Sequence, residues 1–282
     1  MNRMSVKTLL VTACVVGLSL PAARPAGAQY RTLSTPGGDT SDLKGERYHI
    51  EFSGNLWKPA PDFFFKSEGL GIPGTGIDLD KDLDLKSKQM YEWRFVLRPA
   101  KKHKLRAYYL PMSYQGDTIL RKDIVFNGIR FPISFDVKTD FSWKAARFTY
   151  EYDFIYTSRG YFGALIEAKY ADAKLRLTSK DLQLEEFVRA RAPIPAIGLV
   201  GRVYPVSFAS ISGEFSYFKL PDSVDENARF RAVDYDVYAT VNVTNSFGVQ
   251  VGYRSIDMGF RLNTDEGSIK LRGPYFGGVI RY

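Results

Sequence analysis

The chain has 282 residues, 45% of them hydrophobic and 15% aromatic, with a formal net charge of +8. That apolar content at so moderate a charge excludes a disordered chain, and the spread of the Lys and Arg residues gives no nucleic-acid signature. A single cysteine, Cys14, excludes a disulfide framework.

Residues 1–28 have the parts of a secretory signal: Arg3 and Lys7, an apolar run from Leu9 to Leu20, and Ala26-Gly27-Ala28 before Gln29, where cleavage is expected. A lipoprotein box at Val11-Thr12-Ala13-Cys14 competes, but the apolar Val15 to Leu20 that follows disfavours it. Loss of Arg3, Lys7 and Arg24 with the leader takes the charge from +8 to +5. It also removes Cys14, so no thiolate metal site is expected. No later stretch approaches the roughly 20 apolar residues of a spanning helix. Residues 29–46 are either a tail or an extension of the first strand.

From there the chain alternates apolar and polar residues, the period of a strand. The first strand, 47–57, turns Tyr48, Ile50, Phe52, Gly54 and Leu56 outward, and His49, Glu51, Ser53 and Asn55 inward. A long connection, 58–86, follows. Its glycines, Gly69, Gly71, Gly74 and Gly76, form no phosphate cradle, since neither Lys-Ser/Thr nor a helix follows. Its last part, Asp78 to Leu85, puts Asp78, Asp80, Asp82 and Asp84 on one edge and Leu79, Leu83 and Leu85 on the other. Such carboxylates repel unless a divalent cation or basic side chains neutralise them. Calcium suits oxygen donors, but the usual loop glycine is missing, so the plainer reading is an amphipathic loop strand with its acids toward water or rim arginines.

The second strand, 89–98, places Tyr91, Trp93, Phe95 and Leu97 outward, and Glu92, Arg94 and Arg98 inward. After the turn 99–103 a third strand starts at Lys104. Asn127-Gly128 is the strongest hairpin turn in the chain, because both central positions of a type I′ turn want positive φ. Folding about it pairs residues whose numbers sum to 255, so Leu105–Tyr114 lies opposite Phe141–Tyr150, and 115–140 becomes a hairpin standing clear of the bilayer. If Gln115-Gly116-Asp117 turns instead, two more strands form. In the fourth strand Ala146, Phe148, Tyr150, Tyr152 and Phe154 face out against Arg147, Thr149, Glu151 and Asp153. Strands at 161–177, 187–204, 208–219, 229–242, 247–260 and 268–282 complete ten, with twelve or eight as alternatives. The joins alternate between short (99–103, 157–160, 204–207, 243–246) and long.

The last strand puts Phe276, Gly278, Ile280 and Tyr282 on one face. In this it resembles the C-terminal assembly signal of bacterial outer-membrane β-barrels, which usually end in Phe, and residues 47–282 resemble the small OmpA-like barrels in pattern. The resemblance implies an all-β, closed antiparallel transmembrane barrel in the outer membrane of a Gram-negative cell. Residues 29–46 would then be periplasmic. The expected partners are outer-membrane lipid, lipopolysaccharide and, through the final strand, the barrel-assembly machinery; the protein is expected to be a monomer without cofactors. Closure meets every backbone hydrogen bond in hydrocarbon, and aromatics gather at membrane interfaces.

The inward faces carry both charge signs: Glu51, Glu92, Arg94, Arg98, Arg147, Glu151, Asp153, Glu167, Lys169, Glu214, Asp234, Asp236 and Arg254. Mixed charges in a narrow lumen can pair, and a ten-stranded interior is one that side chains can fill. An ionic plug is therefore favoured over a conducting pore. Of the two histidines, His49 beside Glu51 could orient a general base, but no serine in a nucleophile setting accompanies it, and His103 reads as a turn residue. No enzyme is expected. The leading role is structural or surface interaction, followed by a small diffusion channel and then a lipid-modifying enzyme.

Overall fold

The structure, a computed structural model, describes residues 43–68, 72–179, 181, 183–221, 228–262 and 265–282. The expected leader and most of 29–46 lie outside the described residues. The strands are β1 Ile50–Trp57, β2 Ala60–Lys66, β3 Ile77–Asp78, β4 Met90–Ala100, β5 His103–Ile119, β6 Ile124–Phe126, β7 Ile129–Phe131, β8 Asp136–Thr157, β9 Gly160–Ser179, β10 Leu184–Val206, β11 Ala209–Lys219, β12 Ala228–Asn242, β13 Phe247–Leu262 and β14 Asp265–Arg281. Among the described residues there is no helix.

Ten strands close a barrel in the order β1-β4-β5-β8-β9-β10-β11-β12-β13-β14, with β14 returning to β1. Every pairing is antiparallel, and the seam runs from Glu51↔Arg281 to Trp57↔Tyr275. Closure leaves no edge in the wall. The chain enters and leaves at the end that carries the short turns, called here the turn end. The long connections leave from the other, the loop end.

Alternation sets two faces of opposite character. Outward positions expose Tyr91 59%, Ile166 64%, Ile197 69% and Val251 58%, whereas the charged inward residues Glu151 and Asp153 are at 0%. This inverts the water-soluble arrangement, in which large apolar side chains go inside and charges outside.

Pairing of β5 with β8 follows the expected sum, from Leu105↔Tyr150 to Tyr114↔Phe141. Asn127 and Gly128 hold φ of 48° and 83°, the positive values of a type I′ turn. The ladder continues through Gln115↔Asp140 and Gly116↔Thr139 to Ile119↔Asp136, so no turn forms at 115–117 and two extra spanning strands do not arise. The β6–β7 hairpin at its tip is not isolated from the rest of the chain. It folds onto the long first connection, where Thr75 N donates to Val125 O at 2.9 Å and Lys122 pairs with Asp82 at 2.6 Å. Burial of Ile124, Phe126 and Phe131 holds it there.

Two expectations are corrected. The connection 58–86 is not simply a loop, since β2 pairs with the loop-end half of β14 from Ala60↔Arg272 to Lys66↔Glu266. It prolongs the seam past Lys58-Pro59. Pro59 and Pro61 argue against a strand, and consecutive Phe63, Phe64 and Phe65 hide the alternation. Tyr48 faces inward and is 2% exposed. His49 N and Ile50 N both donate to Tyr282 O, a local bulge that shifts the phase by one residue. Tyr48 and Glu51 are thus both buried, and His49 is half-buried.

Gly277, opposite Asn55, marks a close approach in the seam. A Cβ there would meet Asn55 Oδ1 at 2.1 Å and Gly54 O at 2.3 Å, whereas at Gly278 the nearest atom is 3.9 Å away. Gly277→Val is expected to destabilise the refolded barrel by about 1–3 kcal/mol or more, and Gly278→Val by less than about 0.5 kcal/mol. Guanidinium midpoints and the mobility of unboiled samples on gels measure the difference.

Candidate functional site: the charged lumen and its apolar cap

At the turn end, residues 43–46 lie across the mouth of the barrel, with Lys44 N donating to Ser207 O at 2.8 Å. Glu46 is buried; its Oε2 accepts from Tyr204 Oη at 2.7 Å, and its backbone oxygen accepts from Arg98 Nη1 at 2.7 Å. The Arg98 guanidinium also donates to Tyr156 Oη at 2.8 Å and lies 5.4 Å from the Tyr48 ring. One step inward, Lys104 pairs with Glu151 at 2.6 Å and Asp153 at 2.9 Å, under the Tyr161 ring at 3.4 Å. Glu51 accepts from Arg281 Nε at 2.5 Å.

The middle of the lumen is a continuous web. Glu214, on β11, pairs with Arg106 at 2.6 Å and Arg147 at 3.4 Å and accepts from Tyr108 and Tyr238 at 3.1 and 3.2 Å. Arg147, stacked 3.7 Å from the Tyr108 ring, continues to Glu167 and Asp234. Asp234 also takes Lys169 at 3.3 Å and Arg254 at 2.9 Å. Arg254 and Arg94 share Glu92, and Arg94 reaches Asp236 at 2.6 Å, which accepts from Tyr275 at 2.9 Å.

All thirteen residues assigned inward from the sequence line this lumen. Most are in the central web, Glu151 and Asp153 are around Lys104, and Arg98 and Glu51 are nearer the turn end. The lumen also holds Glu46, Lys104, Arg106, Arg202 and Arg281, which lie outside the expected set. For four of them the signal was parity: each alternates with outward apolar neighbours, as Arg281 does with Ile280. Glu46 precedes the first strand and carried no such signal. With these five, nine carboxylates face nine cations among the described residues of the lumen.

Toward the loop end the lining changes to Leu110, Met112, Tyr114, Phe141, Trp143, Leu175, Leu177, Ile256 and Met258. Into this ring the first connection inserts Phe63, Ile77, Leu79, Leu83 and Leu85, each at most 3% exposed. The Phe63 ring sits 4.7 Å from Phe141 and 5.4 Å from Tyr114. Between the ionic and apolar layers lies a cavity of about 50 Å³, bounded by Trp143, Ile194 and Met258 on one side and by Arg147, Lys169 and Asp234 on the other. That is room for a few waters.

The aspartates opposite the leucines meet lysines. Asp78 pairs with Lys81 at 2.6 Å, Asp82 with Lys122 at 2.6 Å and Asp84 with Lys86 at 3.0 Å. Asp78 and Asp80 gather with Asp62, their oxygens within 4.8 Å of one another. A hydrogen bond from Asp80 holds the Asp78 carboxyl below the usual aspartate range, while desolvation and the neighbouring Asp78 push Asp80 up. The two share a proton more readily than isolated aspartates would. Of the four aspartates considered for calcium, the structure brings only Asp78 and Asp80 together.

Neither histidine enters the charged web. His49 bonds through its backbone to Tyr282 O and Arg98 N, Glu51 is taken by Arg281, and His103 Nδ1 lies 2.6 Å from Tyr150 Oη. The expected assembly-signal residues Phe276, Ile280 and Tyr282 are exposed on the outer wall, with Gly278 between them on the same face.

No family model matches the chain, and no curated protein matches it in sequence. Among solved structures it is similar to the outer membrane protease OmpT of Escherichia coli, at 10% identity over 83% of this chain and 96% of that one, with a TM-score of 0.56. Weaker likenesses are to Ail, the attachment invasion locus protein of Yersinia pestis (10% identity, 83% and 99% covered, TM-score 0.37), and to OprG of Pseudomonas aeruginosa (12%, 85% and 97%, 0.32). At such identities the likeness concerns the fold alone: the chain is a closed ten-stranded antiparallel barrel of the outer-membrane type.

Proposed function

We propose that this protein is an integral outer-membrane barrel with a sealed lumen, whose role is structural or lies in surface interaction. The membrane reading is supported by the inverted wall. A belt of exposed Phe, Tyr, Trp, Ile and Val around a charged interior would be unfavourable in water and is suited to lipid. The final strand, with Phe276, Ile280 and Tyr282 outward, is the segment through which the assembly machinery would engage it.

The observation that carries the sealed lumen is its two-layer filling. Nine acids balance nine bases in one buried web, and five apolar side chains of the first connection close the ring above it. A conducting pore needs a continuous wet path, and a cavity of about 50 Å³ between the layers does not provide one. Catalysis by a histidine base finds no support in the geometry either, since Glu51 is committed to Arg281 and His103 is held on the outer wall by Tyr150.

Refolded protein inserted into a planar bilayer is expected to add no resolvable unitary current; steady ohmic steps would overturn the sealed lumen. Stability should report the same web. Removing Glu214 leaves Arg106 and Arg147 buried without a shared acid, so Glu214→Ala is expected to cost about 3–5 kcal/mol. Glu266→Ala, which breaks an exposed pair with Arg261, should cost under about 1 kcal/mol. Guanidinium unfolding followed by tryptophan fluorescence measures both, since Trp57 and Trp143 are buried inside the barrel.

A further inference from the structure

On the outer wall of β11, β12 and β13, the exposed rings of Tyr217, Tyr235 and Tyr253 mark one level. Toward the loop end the same outward face turns cationic. Lys219 lies two residues beyond Tyr217, about 7 Å along the strand, and Arg231 four residues beyond Tyr235, about 13 Å. Arg229 and Arg231 are exposed, while their neighbours Phe230 and Ala232 belong to the lumen cluster, so both arginines point away from the lumen.

Register sets like charges face to face in this patch. Lys219 is directly opposite Arg231, and Arg229 is directly opposite Arg261. Like charges facing each other across strands are destabilising. On β9 and β10 Arg189 likewise stands opposite a cation, Lys174, but there Arg189 binds Asp172 through two bonds of 2.8 and 2.6 Å, and Arg176 meets Glu185 at 2.6 Å. In the quartet Lys219 has an interaction of its own and Arg261 has Glu266 at 3.1 Å, whereas Arg229 and Arg231 form no ion pair among the described residues. All four cations border one groove of about 520 Å³.

We propose that this quartet is a docking site for the phosphate groups of the outer-leaflet glycolipid, lipopolysaccharide. A dianionic phosphate set between Arg229 and Arg231 turns the repulsion of these two guanidiniums into attraction. Two guanidiniums offer it the forked donors that suit phosphate oxygens. Continuity with the tyrosine level and the apolar wall below selects a lipid over a free anion, because acyl chains can lie on that wall while the phosphates reach the cations. The site lies at the end with the long connections, the expected outer-leaflet side of such barrels. It rests on the outer-membrane reading above, and cell fractionation tests that reading separately, since binding in micelles is read whatever the location.

The test uses the refolded full-length barrel in non-ionic detergent, titrated with purified lipopolysaccharide, with the same lipid enzymatically dephosphorylated, and with inorganic phosphate. Wild-type protein is expected to bind the phosphorylated lipid, more weakly as salt rises. R229Q/R231Q and dephosphorylation should each weaken binding at least about tenfold, while R159Q, changed at an exposed arginine of the turn end, binds as wild type. Unboiled gel mobility reports that each variant is folded, and R231Q alone replaces the double variant if that does not fold. Equal affinity of R229Q/R231Q and wild type, or undiminished binding of the dephosphorylated lipid, would overturn the proposal. Displacement of the lipid by millimolar inorganic phosphate would overturn the lipid as ligand. Were the arginines there to hold Asp222, Asp225 and Glu226 of the adjoining segment, the double variant would lower the thermal midpoint without lipid and leave lipid affinity unchanged, which also overturns it.

Discussion

Charge neutrality inside a closed, narrow tube is the constraint on which this structure depends. A carboxylate or guanidinium taken out of water costs several kcal/mol unless its partner is in place, and a ten-stranded wall leaves little space for water to do that work. Each acid in the lumen therefore touches a cation from a different strand: Glu214 on β11 meets Arg106 on β5 and Arg147 on β8. Tyrosines complete the web, donating to carboxylates through their hydroxyls and facing cations with their rings, as Tyr108 does toward Glu214 and Arg147. Slippage of one strand by a residue would move every one of its charges to the outer wall. The same web that fills the lumen thus fixes the register of the wall around it.

That dependence runs both ways, because the web exists only if the barrel closes. The seam sets Arg281 on β14 beside Glu51 on β1, residues at opposite ends of the barrel sequence, and Asn55 beside Gln250 and Glu92. Beyond Trp57, whose indole nitrogen donates to Gly273 O at 3.0 Å, the seam passes from β1 to β2. The apolar cap is carried on this continuation, so closure also delivers Phe63 to the centre of the loop end.

What could be read from sequence was what depends on local periodicity. Parity gave the faces of Glu92, Arg94, Asp234 and Asp236, and one turn, Asn127-Gly128, set the register of β5 and β8 over its whole length. What escaped depends on interruptions and on distance. The bulge at His49-Ile50 reverses Tyr48 without any mark in composition, and β2 is disguised by two prolines and three consecutive phenylalanines. Parity names a face but not a partner, so the meeting of Arg106 with Glu214, 108 positions away, follows only from barrel curvature and strand tilt.

The aspartate-leucine segment shows how a pattern can be legible while its purpose is not. Alternation over Asp78 to Leu85 announced two faces, and both exist. The leucines needed an apolar receptor, which the walls supply through Trp143, Phe141 and Leu177, residues nearly 60 to 100 positions downstream. The acids needed cations, and these come from Lys81, Lys86 and, from the β5–β6 connection, Lys122. Because Lys122 grips Asp82 from the hairpin side while Leu83 is held in the barrel, the segment acts as a clasp between the two longest excursions at the loop end. Loss of either attachment would loosen cap and hairpin together.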